Sequence, residues 1–451
     1  MIRLSASKIA EIVNGKLNCD GTKEVWNAPV FDSRKATAGS FFLALKGEKF
    51  DGHDFIESAI ENGAAFALTS KQVEAPHIEV PDVLVALGKL AEYVRIKLPK
   101  LKVIGITGSQ GKTTTKDLLH HLLESVAPTI SPENSFNNEL GAPLNLLRCT
   151  EETRFCIAEL GARHMGDIFR LASIVKPDIG VVLKVGNAHI AEFGSVENIA
   201  KTKGEMIKAL PSDGVAVLGL YDEFTPKMAE GFAGRVITFG ETTNADVRAT
   251  DVEIREGAPH FDLVNGEGRV SVGMRLIGAH QIPNALAAAA VATALGISND
   301  HIATALSTAE IKSKWRMELH ELPGLLVIND AYNANPESME AALFSLRLFA
   351  QERGGAAWAF LGKMHELGAS SSQAHEKIGN LSRDLAIDHL VAINTDYGKS
   401  SINFKDWESS LSLLSEFSPG DVVLVKASRA EGLERLADAL IDGWNKRLEA
   451  K

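Results

Sequence analysis

The chain has few cysteines, no long basic run and no apolar segment long enough to cross a membrane. Cys19, Cys149 and Cys156 match no metal-ligand spacing, so they are predicted to be reduced and mostly buried thiols. The most membrane-like stretch, residues 285–297, consists mostly of small side chains and is too short to span a bilayer. Acidic residues outnumber basic ones by 58 to 47, which argues against a nucleic-acid surface. We therefore expect a cytoplasmic protein, without membrane insertion, whose partners are small or locally anionic.

Internal repeats and low-complexity linkers are also absent, and 451 residues suggest about three domains. Residues 1–83 show the pattern of a small α/β unit with a helix that stops at Gly63. Residues 84–312 alternate strands with helices, which predicts a parallel sheet, and short alternating runs between about 235 and 277 predict appended antiparallel strands. Residues 313–451 hold four more apolar strands between helices, typical of a doubly wound, Rossmann-like domain.

A glycine-rich turn between a strand and a helix is the most informative feature. Residues 101–123 comprise an apolar strand, this turn and a helix that is predicted to begin at Lys112. Backbone N–H groups, a helix N-terminus and a lysine then point at one place, which suits the phosphates of a nucleotide. Ile106 stands where the standard P-loop has its first glycine, so a plain strand–helix turn with a solvated lysine is the alternative. The residues of the loop are Gly108, Ser109, Gln110, Gly111, Lys112, Thr113 and Thr114.

Polar residues also follow two other strands of the predicted parallel sheet. Glu159 ends the strand near 155–160, and His189 follows the strand near 178–185. Ligands gather at the carboxyl ends of parallel strands, so these side chains are expected to converge on the phosphate loop. Together with Thr113 and phosphate oxygens, Glu159 and His189 would provide ligands for Mg²⁺. A solvated glutamate and a structural histidine are the alternatives.

A lysine lies on the apolar face of the helix predicted after Ser195. Ile199, Met206 and Ile207 define that face, Lys203 falls on it, and Lys201 points nearly the opposite way. A lysine on a buried face must find an anion or lose its proton. A neutral amine can add carbon dioxide, and the resulting carbamate would bind a metal ion, whereas snorkelling to solvent is the commoner outcome.

The third predicted domain carries a polar loop directly after its first strand. Asp330, Asn333, Asn335 and Ser338 lie in this loop, and Asn335 or Ser338 can start the next helix. Arg316, shortly before the strand, is suited to bind phosphate oxygens in two-pronged fashion. We expect a ligand-facing loop here, with a well-capped turn and a surface arginine as the alternative.

Nine segments of the chain match one family in order, and on them the chain resembles the ATP-dependent Mur ligases of peptidoglycan synthesis. The segments are FDSRKATAGSFFLALKGEKFDGHDF, TGSQGKTTTK, ENSFNNELGAPL, AELGARHMGDI, VGNAHIAEFGSVENIAKTKGE, HQIPNALAAA, DAYNANPESM, LGKMHELG and VLVKASRAEGLE. DAYNANPESM is similar to the branch that adds D-alanyl-D-alanine, and the DNPR motif of the diaminopimelate-adding branch is absent. Gln110 and Lys184 depart from the family, which usually has asparagine at both positions.

The resemblance implies a three-domain α/β enzyme with a small UDP-binding domain, a central P-loop-type ATPase domain and a C-terminal Rossmann-like domain. Its substrates would be UDP-N-acetylmuramoyl-tripeptide, D-alanyl-D-alanine and ATP, with Mg²⁺ as cofactor and an acyl phosphate as intermediate. Closure of the C-terminal domain is expected to assemble the site. We expect a monomer, since no sustained heptad appears.

Residue roles also follow from the resemblance. Lys112 and the loop amides would hold the β- and γ-phosphates, Asn284 would lie near the adenine, and Arg316 and Asp330 would contact ATP. The metal-binding positions would be Thr113, Glu159, His189 and Lys203 as a carbamate. Substrate would be contacted by Ser33, Arg34, Asn137, Asn138, Asn333 and Asn335.

Two other functions are kept as alternatives. A ligase of the folylpolyglutamate synthase type would lack a UDP-binding leading domain, and the FDSR segment argues against it. A nucleotide-dependent switch would use the phosphate loop only for conformational change and would hydrolyse ATP regardless of other substrates.

Overall fold

The computed structural model describes residues 1–47, 49–132, 136–187, 190–310 and 313–449. It confirms an α/β fold of three units, each with its own sheet or sheets. The boundaries at 83 and 312 stay a prediction. Within the described ranges, no helix combines the length and apolar character needed to cross a membrane.

The leading unit contains a two-stranded antiparallel ribbon, β1–β3, and a mixed sheet of order β2-β6-β5-β4. As predicted, its second helix stops before Gly63, whose φ of +112° is readily adopted by glycine. The elements are β1 Leu4–Ser5, α1 Ala6–Val13, β2 Lys16–Asn18, β3 Glu24–Val25, β4 Phe42–Leu43, α2 Ile56–Glu61, β5 Ala67–Thr69 and β6 His77–Glu79.

The central unit is built on one nine-stranded sheet. Its elements are α3 Val83–Lys97, β7 Lys102–Thr107, α4 Lys112–Glu124, β8 Thr129–Ile130, α5 Gly141–Leu147, β9 Phe155–Glu159, α6 Asp167–Val175, β10 Ile179–Val182, α7 Ile190–Phe193, α8 Val196–Lys208, β11 Val215–Gly219, β12 Arg235–Gly240, β13 Val247–Arg255, β14 Ala258–Asn265, β15 Gly268–Gly273, α9 Gln281–Ala294 and α10 Asn299–Thr308. The strand order is β15-β14-β13-β12-β11-β10-β7-β9-β8.

The pairing of this sheet corrects one expectation. Strand β12 and the start of β13 continue the parallel part, so the antiparallel portion comprises only β13, β14 and β15. The predicted turn at 265–268 does join β14 to β15. Helices cover both faces of the sheet, and α9, which includes most of the alanine-rich stretch, fills one of the two cores. That stretch is apolar because it is buried within the unit.

The C-terminal unit has a six-stranded sheet of order β16-β17-β21-β18-β19-β20 with apolar cores on both faces. The four predicted strands are present as β17, β18, β19 and β21, whereas the half-exposed edge strands β16 and β20 escaped sequence analysis. The elements are β16 Glu318–Leu322, β17 Leu325–Asp330, α11 Pro336–Arg353, β18 Ala357–Leu361, α12 Ser371–Asp384, β19 His389–Ile393, β20 Ser401–Phe404, α13 Trp407–Ser410, β21 Asp421–Lys426 and α14 Glu434–Glu449.

Candidate active site

A cavity of about 570 Å³ lies between the central and C-terminal units. Strands β10, β7 and β9 are adjacent in the sheet, so the segments that follow them share one edge, as predicted. From the C-terminal unit, the segment around Arg316 and the loop after β17 line the opposite wall. The cavity therefore joins the carboxyl ends of the central strands to a second unit.

The phosphate loop is shaped by close packing around its glycines. A Cβ atom at Gly108 would lie 2.9 Å from Leu183 Cβ, and one at Gly111, where φ is +82°, would overlap Asn284 Oδ1. Helix α4 begins at Lys112, as predicted. The Lys112 ammonium donates to Gly108 O at 2.8 Å, so it folds over its own loop, which contradicts the alternative of a solvated surface lysine.

Charge is concentrated at the floor of the cavity. Desolvation lowers the pKa of Lys112, Glu159 acts to raise it, and Arg316 lowers it further. A cation held in this way at a helix N-terminus favours an anionic ligand.

Thr113 and Glu159 meet as the sheet geometry predicted. Thr113 Oγ1 donates to Glu159 Oε2 at 3.1 Å, and Asn137 Nδ2 donates to Glu159 Oε1 at 3.0 Å. Glu159 is only 1% exposed, so the alternative of a solvated glutamate is wrong. His189 lies outside the described residues.

These oxygens provide a test of the predicted Mg²⁺. A hydroxyl and a buried carboxylate beside a phosphate loop are ligands of the type that Mg²⁺ takes, with phosphate and water completing the shell. The described ranges contain no group of three His, Cys, Asp or Glu side chains that would hold a metal alone. The residues therefore fit a metal ion that binds together with nucleotide phosphates.

Lys203 is buried on α8, whose N-cap is Ser195. Its neighbour on the other face, Lys201, is exposed, which confirms the predicted orientation of the helix. No carboxylate of the described residues lies within 4 Å of the Lys203 ammonium. Burial, and then the charge of Lys112, hold the pKa of Lys203 well below its ordinary value. These surroundings favour the neutral amine.

The C-terminal unit contributes Arg316 directly to the phosphate loop. Its Nη2 donates to Thr113 Oγ1 at 3.0 Å, and its guanidinium stacks 4.0 Å from the ring of Tyr332. The alternative of a surface arginine is therefore wrong. A stacked guanidinium held across the loop is placed to contact phosphate oxygens.

Asp330 is paired with a lysine that sequence analysis missed. Lys426 Nζ donates to Asp330 Oδ2 at 2.6 Å and to Asn333 O at 2.9 Å, and Met317 N donates to Asp330 Oδ1 at 3.1 Å. The Lys426 side chain is 3% exposed. Lys426 ends β21 as Asp330 ends the neighbouring β17, so the rule that found Glu159 would also have found it.

Asn284 lies beside Gly111 of the phosphate loop, and two aromatic side chains also line the cavity. Asn284 Nδ2 donates to His280 O at 3.3 Å and to Gln281 Oε1 at 3.0 Å. The two aromatic side chains are Tyr221 and Phe239, which sequence analysis did not select. Aromatic faces beside a polar amide are suited to a heterocyclic base.

Asn335 is the N-cap of α11, with its side chain accepting from Ser338 N at 2.9 Å in a capping box. The same Oδ1 accepts from Gln110 Nε2 at 3.2 Å. Gln110 is one of the two departures from the family, and its longer side chain makes this contact between units. Asn333 is exposed, and its side chain accepts from Ala334 N.

Three predicted substrate residues do not line the cavity. Ser33 is buried in a short helical turn of the leading unit, and Arg34 is exposed and held by Asp32 through two hydrogen bonds. That guanidinium lowers the pKa of Asp32 to about 2. Asn138 lies just before α5, and its side chain accepts from Gly141 N at 3.0 Å. Asn137, by contrast, lies at the cavity edge beside Glu159.

Three family models match the chain: the Mur ligase family catalytic domain over residues 30–104, the Mur ligase middle domain over 106–292, and the Mur ligase glutamate ligase domain over 315–429. A similar curated protein is the UDP-N-acetylmuramoyl-tripeptide--D-alanyl-D-alanine ligase of Mycobacterium tuberculosis (strain ATCC 25618 / H37Rv). The two are 40% identical over 500 residues, covering 98% of each chain.

Two solved structures are also similar to this chain. MurF from Acinetobacter baumannii superimposes with a TM-score of 0.89 at 33% identity, covering 98% of this chain and 99% of that one. The MurF ligase from Thermotoga maritima in complex with ADP has a TM-score of 0.81 at 30% identity, covering 93% and 98%.

Proposed function

This chain belongs to the Mur ligase family, and on that premise we propose that it joins D-alanyl-D-alanine to UDP-N-acetylmuramoyl-tripeptide with hydrolysis of ATP to ADP and phosphate. The product is the UDP-N-acetylmuramoyl-pentapeptide precursor of peptidoglycan. The observation that carries this proposal is the cavity in which the phosphate loop, buried Glu159 and Arg316 of the other unit meet. Buried Lys203 on α8 lies close enough for the charge of Lys112 to lower its pKa.

ATP would lie along the cavity with its phosphates on the loop. Lys112 and the loop amides after Ser109 hold the β- and γ-phosphates, with the helix N-terminus favouring their charge. Asn284, which lies beside Gly111, is assigned to the neighbourhood of the adenine. Arg316 and Asp330 contact the nucleotide from the C-terminal unit. The solved relative with ADP supports a nucleotide in this family of sites.

Magnesium would be held by Thr113 and Glu159, with His189 and a carbamate on Lys203 as further ligands. When bound, Mg²⁺ neutralises phosphate charge and polarises the transferred phosphoryl group. The burial of Lys203 supports the carbamate, since only a neutral amine adds carbon dioxide. The Asn137 amide orients the Glu159 carboxylate toward this position.

A carboxylate is a poor electrophile, so the terminal carboxylate of the tripeptide attacks the γ-phosphate and becomes an acyl phosphate. Lys112 and Arg316 balance the charge that moves onto the β–γ bridging oxygen and the transferred group. The amine of D-alanyl-D-alanine then attacks the acyl carbon, and phosphate leaves through a tetrahedral intermediate.

Other substrate contacts are assigned by position. Ser33 and Arg34 lie in the leading unit, where the UDP group would bind, and Asn137 and Asn138 lie on the path from that unit to Glu159. In the C-terminal unit, Asn333 and Asn335 border the cavity and are assigned to substrate contact.

We further propose that the C-terminal unit closes over the bound nucleotide, that the protein is a cytoplasmic monomer, and that the domain boundaries lie at 83 and 312. Arg316 and Asn335 already bridge to the phosphate loop, which supports closure as the step that excludes water from the acyl phosphate. Scattering profiles that do not change when nucleotide and tripeptide are added, together with an already closed free form, would refute closure.

The test is phosphate release from ATP with UDP-N-acetylmuramoyl-tripeptide and D-alanyl-D-alanine added singly and together, with the product weighed by mass spectrometry. The ligase requires turnover only with both and the mass of the pentapeptide adduct. Phosphate release that ignores both substrates would instead support a nucleotide switch.

A further inference from the structure

Glu337 has an unusual position between the two units of the active site. It is the second residue of α11, and its Oε1 accepts from Asn187 Nδ2 at 3.2 Å and from Asn187 N at 3.5 Å. Asn187 belongs to the segment after β10, which is tied to the phosphate loop through Ser109 and Gly186. The Glu337 carboxylate therefore faces the reaction centre from the C-terminal unit.

The second oxygen of this carboxylate is not used by the protein. Glu337 Oε2 is buried and has no hydrogen-bond partner among the described residues. The described residues also place no lysine, arginine or histidine within 4 Å of the carboxylate. A buried carboxylate oxygen without a partner is costly, so such an oxygen in a cleft points to a ligand that supplies a donor.

Glu337 also lies where two cavities meet. A groove of about 640 Å³ runs along one face of α11 and past Ile254 in β13, and it opens toward solvent. The residues common to this groove and the main cavity are Gln110, Lys184, His280, Glu337 and Ala341. Glu337 is the only carboxylate among these five residues. A cationic group that enters by the groove would therefore contact Glu337 before it reaches the phosphate loop.

We propose that Glu337 binds the ammonium group of the incoming D-alanyl-D-alanine and accepts a proton from it before the C–N bond forms. This inference rests on the proposed function, because an acyl phosphate must be present for the amine to attack. A dipeptide is cationic at its amino end near neutral pH, and an ammonium group cannot attack a carbonyl carbon. A fixed carboxylate beside the reaction centre can bind the ammonium group and can also accept the proton that must leave it.

Each proton that leaves the ammonium nitrogen in this reaction has a named acceptor. The ammonium passes one proton to Glu337 Oε2 and becomes a neutral amine, which attacks the acyl carbon and forms the C–N bond. As the tetrahedral intermediate collapses, the bond from carbon to the phosphate oxygen breaks, and the leaving phosphate takes the second proton from nitrogen. Glu337 then releases its proton to solvent.

A simpler role for Glu337 is to place a negative charge at the N-terminus of α11, where acidic residues stabilise helices. Loss of this helix-stabilising charge would lower the rate with every nucleophile by the same factor. The neutral nucleophile hydroxylamine separates the two roles, because it is mostly uncharged near neutral pH and traps an acyl phosphate as a hydroxamate without needing an ammonium site.

The experiment compares wild type with Glu337→Gln, which keeps an oxygen for Asn187 and removes the charge. With ATP and UDP-N-acetylmuramoyl-tripeptide, the variant should form hydroxamate from hydroxylamine within about 2-fold of wild type. Its kcat/KM for D-alanyl-D-alanine should fall roughly 10- to 100-fold. That deficit should shrink as the pH rises and the free dipeptide becomes neutral, and Glu337→Asp should recover part of the loss.

Two control variants complete the design. Glu352→Gln removes the same charge from an exposed position on α11 and should behave as wild type with both nucleophiles. Asn187→Ala removes the amide contact that holds Glu337 Oε1 and leaves the Glu337 charge, so it should give a smaller loss with D-alanyl-D-alanine and none with hydroxylamine. An equal loss with both nucleophiles in Glu337→Gln, or no loss with either, would overturn the assignment. Wild type that forms neither hydroxamate nor pentapeptide would instead refute the proposed function.

Discussion

The buried pair of Lys426 and Asp330 allows a quantitative prediction about the C-terminal unit. Their side chains are 3% and 13% exposed and lie 2.6 Å apart at the ends of neighbouring strands. Among the described residues, Lys426→Met would leave the Asp330 carboxylate with only Met317 N as a donor. Removing one partner of a buried pair typically costs about 3–5 kcal/mol, and because Asp330 borders the cavity we expect the lower end, about 3 kcal/mol.

The double variant makes the prediction specific. Asp330→Asn alone leaves the Lys426 ammonium with Asn333 O and should cost a similar amount. Combining the two changes removes both charges, so the double variant should recover about 2 kcal/mol relative to the sum of the single variants. Lys446→Met, an exposed lysine near the end of α14, is the matched control and should change stability by less than about 0.5 kcal/mol.

Urea unfolding followed by tryptophan fluorescence is a suitable assay, since Trp26 is the only tryptophan before residue 313. The other four tryptophans report on the C-terminal unit and are Trp315, Trp358, Trp407 and Trp444. If the costs of the single variants simply add in the double variant, the two charges do not depend on each other, and the argument from burial and distance fails.

Three further predictions concern the cavity. Gly111→Ala should raise the KM for ATP at least about 10-fold, because its Cβ would overlap Asn284 Oδ1; nucleotide binding equal to wild type would contradict the packing argument. Lys203→Met should lower kcat by about 100-fold or more, whereas Lys201→Met on the exposed face of the same helix should not, and equal effects in steady-state assays would refute the orientation of α8. Arg316→Lys should raise the KM for ATP several-fold with little change in melting temperature, since lysine supplies the charge but neither the two-pronged geometry nor the stacking; an unchanged KM would remove Arg316 from the site.

Much of the central site could be predicted because it depends on local sequence. An apolar strand followed by a glycine-rich turn indicated where α4 begins, and a general rule about parallel sheets then placed Glu159 near Thr113. The amphipathic pattern of α8 was sufficient to separate Lys203 from Lys201. Each of these inferences needed only one segment and a rule that holds for every parallel sheet.

The parts that were missed depend on pairings between distant segments. The strand-end rule would have selected Lys426, but its pairing with Asp330 depends on β21 lying next to β17, 96 positions away, and the order of strands in a sheet is not visible in a linear pattern. The contact of Gln110 with Asn335 requires the relative placement of two units. Edge strands β16 and β20 are half-exposed and carry too few apolar residues to stand out.

The charges of the cavity explain why a nucleotide is expected to stabilise the protein. Lys426 is paired with Asp330, whereas Lys112 is affected by the buried Glu159 carboxylate and by the like charge of Arg316, and Lys203 by the like charge of Lys112. Burial, and then repulsion from a neighbouring cation, lowers the pKa of Lys112 and of Lys203, so the folded protein disfavours these positive charges. A polyphosphate that binds there relieves this repulsion only in the folded state, so ATP should raise the melting temperature in proportion to the logarithm of its concentration. Adenosine, which lacks the phosphates, should have little effect, and an equal shift with both ligands would show that the cations are not the source of the stabilisation.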